Sequence, residues 1–178
     1  MKKHLQKLSL FIISLFSIQG LSAQCSDLFI SEYIEGSSIN KAIEVYNPSP
    51  NTINVTGYEL HLFSNGNTAA NGFFTFSGSI PAYSTYVIAN SGANATILAI
   101  ADTTNNSAIN WNGDDAILLM DNNGDTLDIF GVIGVDPGSG WSITGTNSTN
   151  GTTANRTLVR DPSVQEGNKD WSVSSASE

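Results

Sequence analysis

The sequence contains few of the side chains on which most catalytic sites depend. It has one cysteine, Cys25, so no disulfide can form within the chain and stability has to come from burial. A serine or cysteine nucleophile usually needs a histidine base held by a third group. Of the two histidines, His4 lies near the N-terminus, and His61 lies in a strand-like pattern next to Glu59. We therefore interpret His61 as a strand residue and expect no enzymatic activity.

Basic residues are also scarce, because 7 Lys and Arg stand against 16 Asp and Glu and give a net charge of −9. Three of the lysines, Lys2, Lys3 and Lys7, belong to the N-terminal segment. Once they are removed while all acidic residues stay, the formal net charge changes from −9 to −12. An acidic surface repels phosphate backbones. We expect no binding of nucleic acid by this chain alone, although such a charge attracts divalent cations.

The N-terminal segment has the three parts of a secretory signal. A basic start is followed by a mostly apolar run at residues 8–21 and by Ser22-Ala23, which suits cleavage. We predict a signal peptide at residues 1–23 and no membrane span after its removal, since the apolar run is short for a bilayer. A membrane anchor and lipidation of Cys25 are the alternatives, but Gln24 occupies the position where a lipoprotein signal has a small residue. The predicted location is secreted or associated with the cell envelope.

Long amphipathic helix patterns are absent from residues 24–178, which we interpret as one domain. Gly, Asn, Ser and Thr interrupt the chain every eight to twelve residues or so, which is typical of an all-β sandwich. Alternation and composition predict strands at residues 28–34, 41–46, 58–63, 73–76, 85–89, 97–101, 116–120, 126–130 and 157–160.

Several motifs in a fixed order resemble the lamin-tail domain of secreted bacterial proteins. They are Ser31-Glu-Tyr-Ile-Glu-Gly36, Ala42-Ile-Glu-Val-Tyr-Asn47, Asn112-Gly-Asp-Asp115, Asp128-Ile-Phe-Gly131 and Gly134-Val-Asp-Pro-Gly138. The resemblance covers residues 28–171 and implies an immunoglobulin-like β-sandwich. Similar domains continue beyond the position of Glu178, so we expect the final edge strand to be missing or the C-terminal tail to be disordered.

The resemblance also implies a function, because such domains act in adhesion, targeting or tethering. We predict a non-catalytic interaction module that binds an unknown protein or cell-surface ligand through strand edges and loops at residues 35–40, 65–72 and 144–155. The alternatives are a calcium-dependent, adhesin-like binding domain and the N-terminal fragment of a larger secreted nuclease or phosphatase.

The segment around residues 121–128 is the candidate metal site. Asp121, Asn123, Asp125 and Asp128 place oxygen ligands at alternate positions, and Ca²⁺ prefers such hard oxygens. The same residues also form hairpin turns readily. The sequence therefore leaves a calcium site and a plain turn as alternatives, and it predicts no other cofactor.

A further set of residues is interpreted as structural. Asn112, Asp114 and Asp115 are good turn formers and are predicted to fix the entry into the strand at residues 116–120. Glu44 lies among apolar residues and would need a cationic partner if buried, so we predict a Glu44 pair with Arg160 or Arg156. Trp141 is predicted to lie in the core.

Overall fold

The computed structural model describes residues 27–144 and 151–176, and β-strands dominate this part of the chain. The predicted signal peptide and Cys25 lie outside the described residues. None of the described helices combines the length and apolar character that crossing a bilayer requires. In chain order the elements are β1 (Phe29–Glu35), β2 (Lys41–Tyr46), β3 (Ile53–Asn54), β4 (Glu59–Phe63), β5 (Gly72–Thr75), β6 (Ser79–Ile80), β7 (Thr85–Ala89), α1 (Ala95–Leu98), β8 (Thr103–Thr104), β9 (Ala116–Met120), β10 (Thr126–Phe130), β11 (Ser142–Ile143), β12 (Gly151–Thr152), β13 (Thr157–Val159) and α2 (Trp171–Ser174).

The first sheet has five strands in the spatial order β13, β1, β2, β7 and β8. Its pairs are antiparallel except β7 with β8, which is parallel. In β2 the side chains alternate as predicted, with Ile43 and Val45 in the core and Glu44 half-buried on the other face. The pairing of β1 with β2 shifts between Ile30 and Glu32. This bulge allows Ile30 and Tyr33 to reach the same core although they are three positions apart.

The second sheet has four strands in the order β10, β9, β4 and β5, all of them antiparallel. Leu60 and Leu62 of β4 face the core, as the alternation predicted. The continuous apolar run of β9 suits its position inside the sheet, because both faces of this strand are covered. On the outer face, Phe63 and Leu118 form a smaller apolar cluster.

The inner faces of the two sheets share one hydrophobic core, which is closed by side chains from nearly every strand. Full burial of one Leu, Ile or Phe side chain contributes roughly 1.5–3 kcal/mol. The all-β, immunoglobulin-like β-sandwich predicted from the sequence is confirmed. The core consists of Leu28, Ile30, Tyr33, Ile43, Val45, Val55, Tyr58, Leu60, Leu62, Phe76, Ile80, Ile88, Ala108, Ile109, Trp111, Ile117, Leu119, Phe130, Trp141, Ile143, Leu158 and Trp171.

The predicted strand at residues 97–101 is wrong, because this segment begins in the helical turn α1. Asn94 caps the turn, and its side-chain oxygen accepts hydrogen bonds from the N–H groups of Thr96 and Ile97, each at 3.0 Å. Ile97 and Leu98 then cover the outer face of the first sheet beside Ala42 and Ala89. The cap and this packing override the strand preference of the β-branched residues.

Near the C-terminus, α2 is part of the fold. Trp171 is buried and packs against the rings of Phe130, at 4.6 Å between centroids, and Trp141, at 6.4 Å. The N–H of Thr144 donates to the carbonyl of Ser175. These contacts anchor the described chain up to Ala176, and the missing final edge strand or disordered tail stays a prediction.

Candidate binding surface

The three loops predicted to bind a ligand lie at the same end of the sandwich. Residues 36–40 connect β1 to β2, residues 64–71 connect β4 to β5, and residues 151–156 lead into β13. Hydrogen bonds bring these connections together. The N–H of Asn155 donates to Glu35, the hydroxyl of Thr153 donates to the carbonyl of Gly113, and the N–H of Asn65 donates to Asp115. Residues 145–150 of the third loop lie outside the described residues. We call this surface the loop end.

A buried ion pair lies beneath the loop end and contacts it. The Nζ of Lys41 lies 3.4 Å from the Oε1 of Glu35, and each side chain is only 8% exposed. The other carboxylate oxygen of Glu35 accepts a hydrogen bond from the N–H of Asn155. One ion pair thus connects the β1–β2 hairpin to the loop that leads into β13. Sequence reasoning missed this pair, although Glu35 and Lys41 close a short loop.

Asp115 joins the second loop to the same base. Its Oδ1 accepts from the N–H of Asn65 at 2.8 Å, and its Oδ2 accepts from the N–H of Asn112 at 2.9 Å. Burial raises the pKa of Asp115, while hydrogen bonds to Asn112 and Asn65 and the charge of Lys41 act in the opposite direction. The structure places Asp115 immediately before β9, in the turn-forming position proposed for it.

The loop that leads into β13 packs directly on the 112–115 segment. The hydroxyl of Thr153 donates to the carbonyl of Gly113 and accepts from the N–H of Trp141. A Cβ at Gly113 would lie 2.4 Å from the Cα of Ala154, so this contact requires glycine. The indole N–H of Trp141 donates to the carbonyl of Asp115 at 3.0 Å, and the ring is buried as predicted.

Aromatic rings form the floor beneath these loops. Tyr33 stacks between Trp111, at 5.2 Å between centroids, and Phe130, at 4.1 Å. Burial, followed by the charges of Glu35, Asp115 and Asp114, raises the pKa of Tyr33 well above its usual value. Trp111 is a core residue. Its indole N–H and the Oδ1 of Asp114 are buried and have no hydrogen-bond partner among the described residues.

The four residues proposed to bind calcium do not form one site. Asp128 is fully buried (0% exposed) and pairs with Arg160, whereas the Asp121 carboxylate lies in the exposed hairpin turn. There Asp121 accepts from the N–H groups of Asn123 and Asp125, and these bonds outweigh desolvation and lower its pKa. No group of three acidic, histidine or cysteine side chains suited to a metal ion exists within residues 27–144 and 151–176.

The predicted Glu44–arginine pair is wrong in its acidic member. Arg160 lies inside the sandwich, but its Nη2 donates to the Oδ2 of Asp128 at 3.2 Å. Glu44 is half-buried on the outer face of the first sheet and accepts from the hydroxyl of Ser31 at 2.7 Å. The physical reason is the alternation of β10, which places Asp128 on the core-facing side together with Phe130.

His61 lies away from the loop end, on the outer face of the second sheet. Its Nε2 lies 2.8 Å from a carboxylate oxygen of Glu59, and its ring meets Phe73 edge-on at 4.9 Å. Glu59 is its neighbour by strand alternation, as the sequence indicated. The two side chains belong to the surface of β4.

The buried carboxyl groups predict how stability changes with pH. Burial raises the pKa values of Asp27, Glu32, Asp114, Asp115 and Asp128. A raised folded-state pKa contributes stability below the unfolded value, and this contribution is lost as the pH rises through the folded value. We therefore expect a higher melting temperature at about pH 4, near the unfolded aspartate pKa, than at about pH 7.

Thermal unfolding at both pH values in high salt checks this prediction. High salt screens the repulsion between exposed acids, so the remaining difference belongs to the buried carboxyls. Hydrogen bonds from Ser172 lower the pKa of the exposed Asp170, and this opposite effect acts at still lower pH. A melting temperature that is lower at the acidic pH than at neutral pH would contradict the assignment.

Comparison with protein families adds one finding to this geometry. The family model described as Lamin Tail Domain matches residues 22–134, which is more than half of the chain. The match includes the strands of both sheets from β1 to β10 and the turn at Asp115. No curated protein matches the sequence significantly.

Proposed function

The chain belongs to the lamin tail domain family, and on this premise we propose that it is a secreted, non-catalytic interaction module that binds a protein or cell-surface ligand at its loop end. The observation that carries the proposal is the convergence of three loops, distant in sequence, on one buried ionic base. Loops held on a rigid sandwich are a common arrangement for binding, because the scaffold fixes their positions while their side chains remain variable.

The chemistry of the loops supports binding more than catalysis. Residues 36–40, 64–71 and 151–156 are rich in Ser, Asn, Thr and Gly, which supply adaptable hydrogen bonds.

The place of action rests on the N-terminal sequence. Its basic start, short apolar run and small residues at 22–23 favour export across a bacterial membrane, after which the domain acts outside the cytoplasm. Removal of the three N-terminal lysines changes the formal net charge of the chain from −9 to −12. This negative charge disfavours nucleic acid as the ligand. We propose a protein or a surface ligand instead.

Two charge-matched variants test the loop end. Ile39→Asp with Val135→Asp alters the loop end and its edge. The two side chains are 45% and 47% exposed, and the backbone of Val135 lies against Gly66 of the second loop. Ser79→Asp with Tyr83→Asp adds the same charge at exposed positions near the opposite end of the sandwich. Immobilised wild-type and variant domains are incubated with envelope extract and with intact cells, and the bound material is quantified.

We expect the loop-end variant to lose most of the captured material and the opposite-end variant to retain it. Both variants are checked for unchanged melting curves, so that a loss of capture reports on the surface and not on folding. Equal capture by all three proteins, or equal loss in both variants, would contradict binding at the loop end.

A further inference from the structure

The outer face of the second sheet is largely apolar and lies along the side of the sandwich. Its side chains come from alternate positions of β4, β5, β9 and β10, since the intervening side chains face the core. One row of cross-strand partners crosses all four strands and consists of Ile129, Leu118, His61 and Phe73. Leu118 is buried and Ile129 is half-buried, but Phe73 is 50% exposed. This row therefore presents apolar surface to solvent at the edge strand β5.

The exposed ring of Phe73 is held in place by its neighbours. The ring of His61 meets it edge-on, with centroids 4.9 Å apart, and the Nε2 of His61 lies 2.8 Å from a carboxylate oxygen of Glu59. The backbone N–H of Phe73 donates to the hydroxyl of Ser107 at 3.1 Å. A side chain that is already ordered loses little conformational entropy when a partner covers it. Phe73 is therefore suited to be a contact residue.

Acidic side chains are nearly absent from this face, although the chain has 16 acidic and 7 basic residues. The strands of the second sheet contain two acids, Glu59 and Asp128. Asp128 is fully buried on the core-facing side, so Glu59 alone lies on the outer face, where it contacts His61. The next acids along the chain, Asp121 and Asp125, belong to the turn between β9 and β10. The face is thus an apolar area with acids at its margin.

The outer face of the first sheet is built differently. Ile97 and Leu98 of α1 pack on it, and the cross-strand partners Glu32 and Glu44 lie on it. The other helical turn, α2, packs against the core through Trp171. Neither of the two described helical turns therefore covers the outer face of the second sheet, which differs from the first in both its charge and its covering.

We propose that the outer face of the second sheet binds the same face of a second copy of this chain. A partner of opposite charge would be attracted to the acidic parts of the surface. Two copies of an acidic chain repel each other, so they associate best through a face that carries little charge. The outer face of the second sheet meets this condition. The contact does not involve the loop end, and its test is independent of the proposed function.

The size of this face indicates a weak dimer. Neighbouring strands lie about 4.8 Å apart and residues rise by about 3.4 Å along a strand, so four strands of four or five residues cover roughly 300 Å². A standard protein interface buries about 800 Å² on each partner. We therefore expect reversible association that depends on protein concentration.

Sedimentation velocity of the purified protein from about 5 to about 500 μM, at about 0.05 and about 0.5 M salt, tests the proposal. The face variants are Phe73→Asp, which adds a charge, and Phe73→Thr, which removes the ring but keeps a residue that favours strands. The matched controls are Val159→Asp and Val159→Thr, because Val159 is a strand residue of β13 and is 58% exposed. Melting curves establish that each variant is folded, and Phe73→Thr decides the outcome if Phe73→Asp does not fold.

We expect the wild type and the Val159 variants to dimerise as their concentration rises, and the Phe73 variants to dimerise about tenfold or more weakly. Higher salt should strengthen the dimer, because salt screens the repulsion between two acidic copies. A contact made of complementary charges would instead weaken with salt. A wild type that stays monomeric at both salt concentrations, a dimer that salt weakens, unchanged affinity in Phe73→Thr, or equal weakening in the Val159 variants would overturn the proposal.

Discussion

Replacing Asp128 with alanine is expected to lower the free energy of unfolding by about 3–5 kcal/mol, the range typical of breaking a buried ion pair. Its carboxylate is fully buried (0% exposed) and accepts from Arg160 and from the N–H groups of Ile30, Ile129 and Asn168. One side chain therefore joins β1, β10 and the chain before α2. Burial raises the pKa of Asp128, whereas the charge of the Arg160 guanidinium acts to lower it. Each of the two buried charges is therefore stabilised by the other.

A double-mutant cycle separates the ion pair from simple loss of packing. Asp128→Ala, Arg160→Ala and the double variant are compared by urea denaturation at neutral pH, with Asp125→Asn as a control for an exposed acid nearby in sequence. We expect the double variant to lose less than the sum of the single losses, because it leaves no buried charge behind. Additive losses would show that the two side chains stabilise the fold independently.

Alternation in the sequence was sufficient to place the main strands. In β2 and β4 the buried Ile43, Val45, Leu60 and Leu62 recur at every second position, which only a strand with one face inside can explain. It failed at residues 97–101, where the side chain of Asn94 starts a helical turn. A cap of this kind depends on where the preceding loop leaves the chain, and a propensity pattern does not contain that information.

The sequence contains the information that identifies the buried acid as Asp128, but the prediction named Glu44. Glu44 alternates with Tyr46 on the face opposite Ile43 and Val45, so the pattern itself placed it outside the core. Asp128 alternates with Phe130, a strong core residue, and this signal identifies the true partner of Arg160. The apolar neighbours of Glu44 are thus a weaker indicator of burial than the strand periodicity, which identifies Asp128.

The loop end was harder to predict because its base is assembled from distant residues. Glu35 and Asn155 are 120 positions apart, and Asn65 and Asp115 are 50 apart. The sequence indicated which loops are polar and which turn residues precede β9. The long-range hydrogen bonds of the folded chain show that these loops meet above one ion pair.

That ion pair leads to the second large effect, since replacing Lys41 with methionine is expected to destabilise the domain by about 3–5 kcal/mol at neutral pH. Methionine keeps most of the apolar stem, so the loss reports mainly on the charge. Without the ammonium, the buried Glu35 loses the cation that lies 3.4 Å from its Oε1. The charge of Lys41 also acts to lower the pKa of Asp115. The pKa of Asp115 should therefore rise further in the variant.

In the same variant, the loops should become disordered while the β-sandwich remains folded. Glu35 also accepts from the N–H of Asn155, so hydrogen exchange should accelerate at Asn155 and in residues 36–40 while the core strands stay protected. Acidification should reduce the part of the deficit that comes from Asp115, because its protonated carboxyl no longer interacts with the charge of Lys41. The double variant Lys41→Met with Glu35→Gln keeps the acceptor for Asn155 and should recover much of the stability. If Lys41→Met alone matched the wild type in urea denaturation and in hydrogen exchange at the loops, the ion pair would not be what organises the loop end.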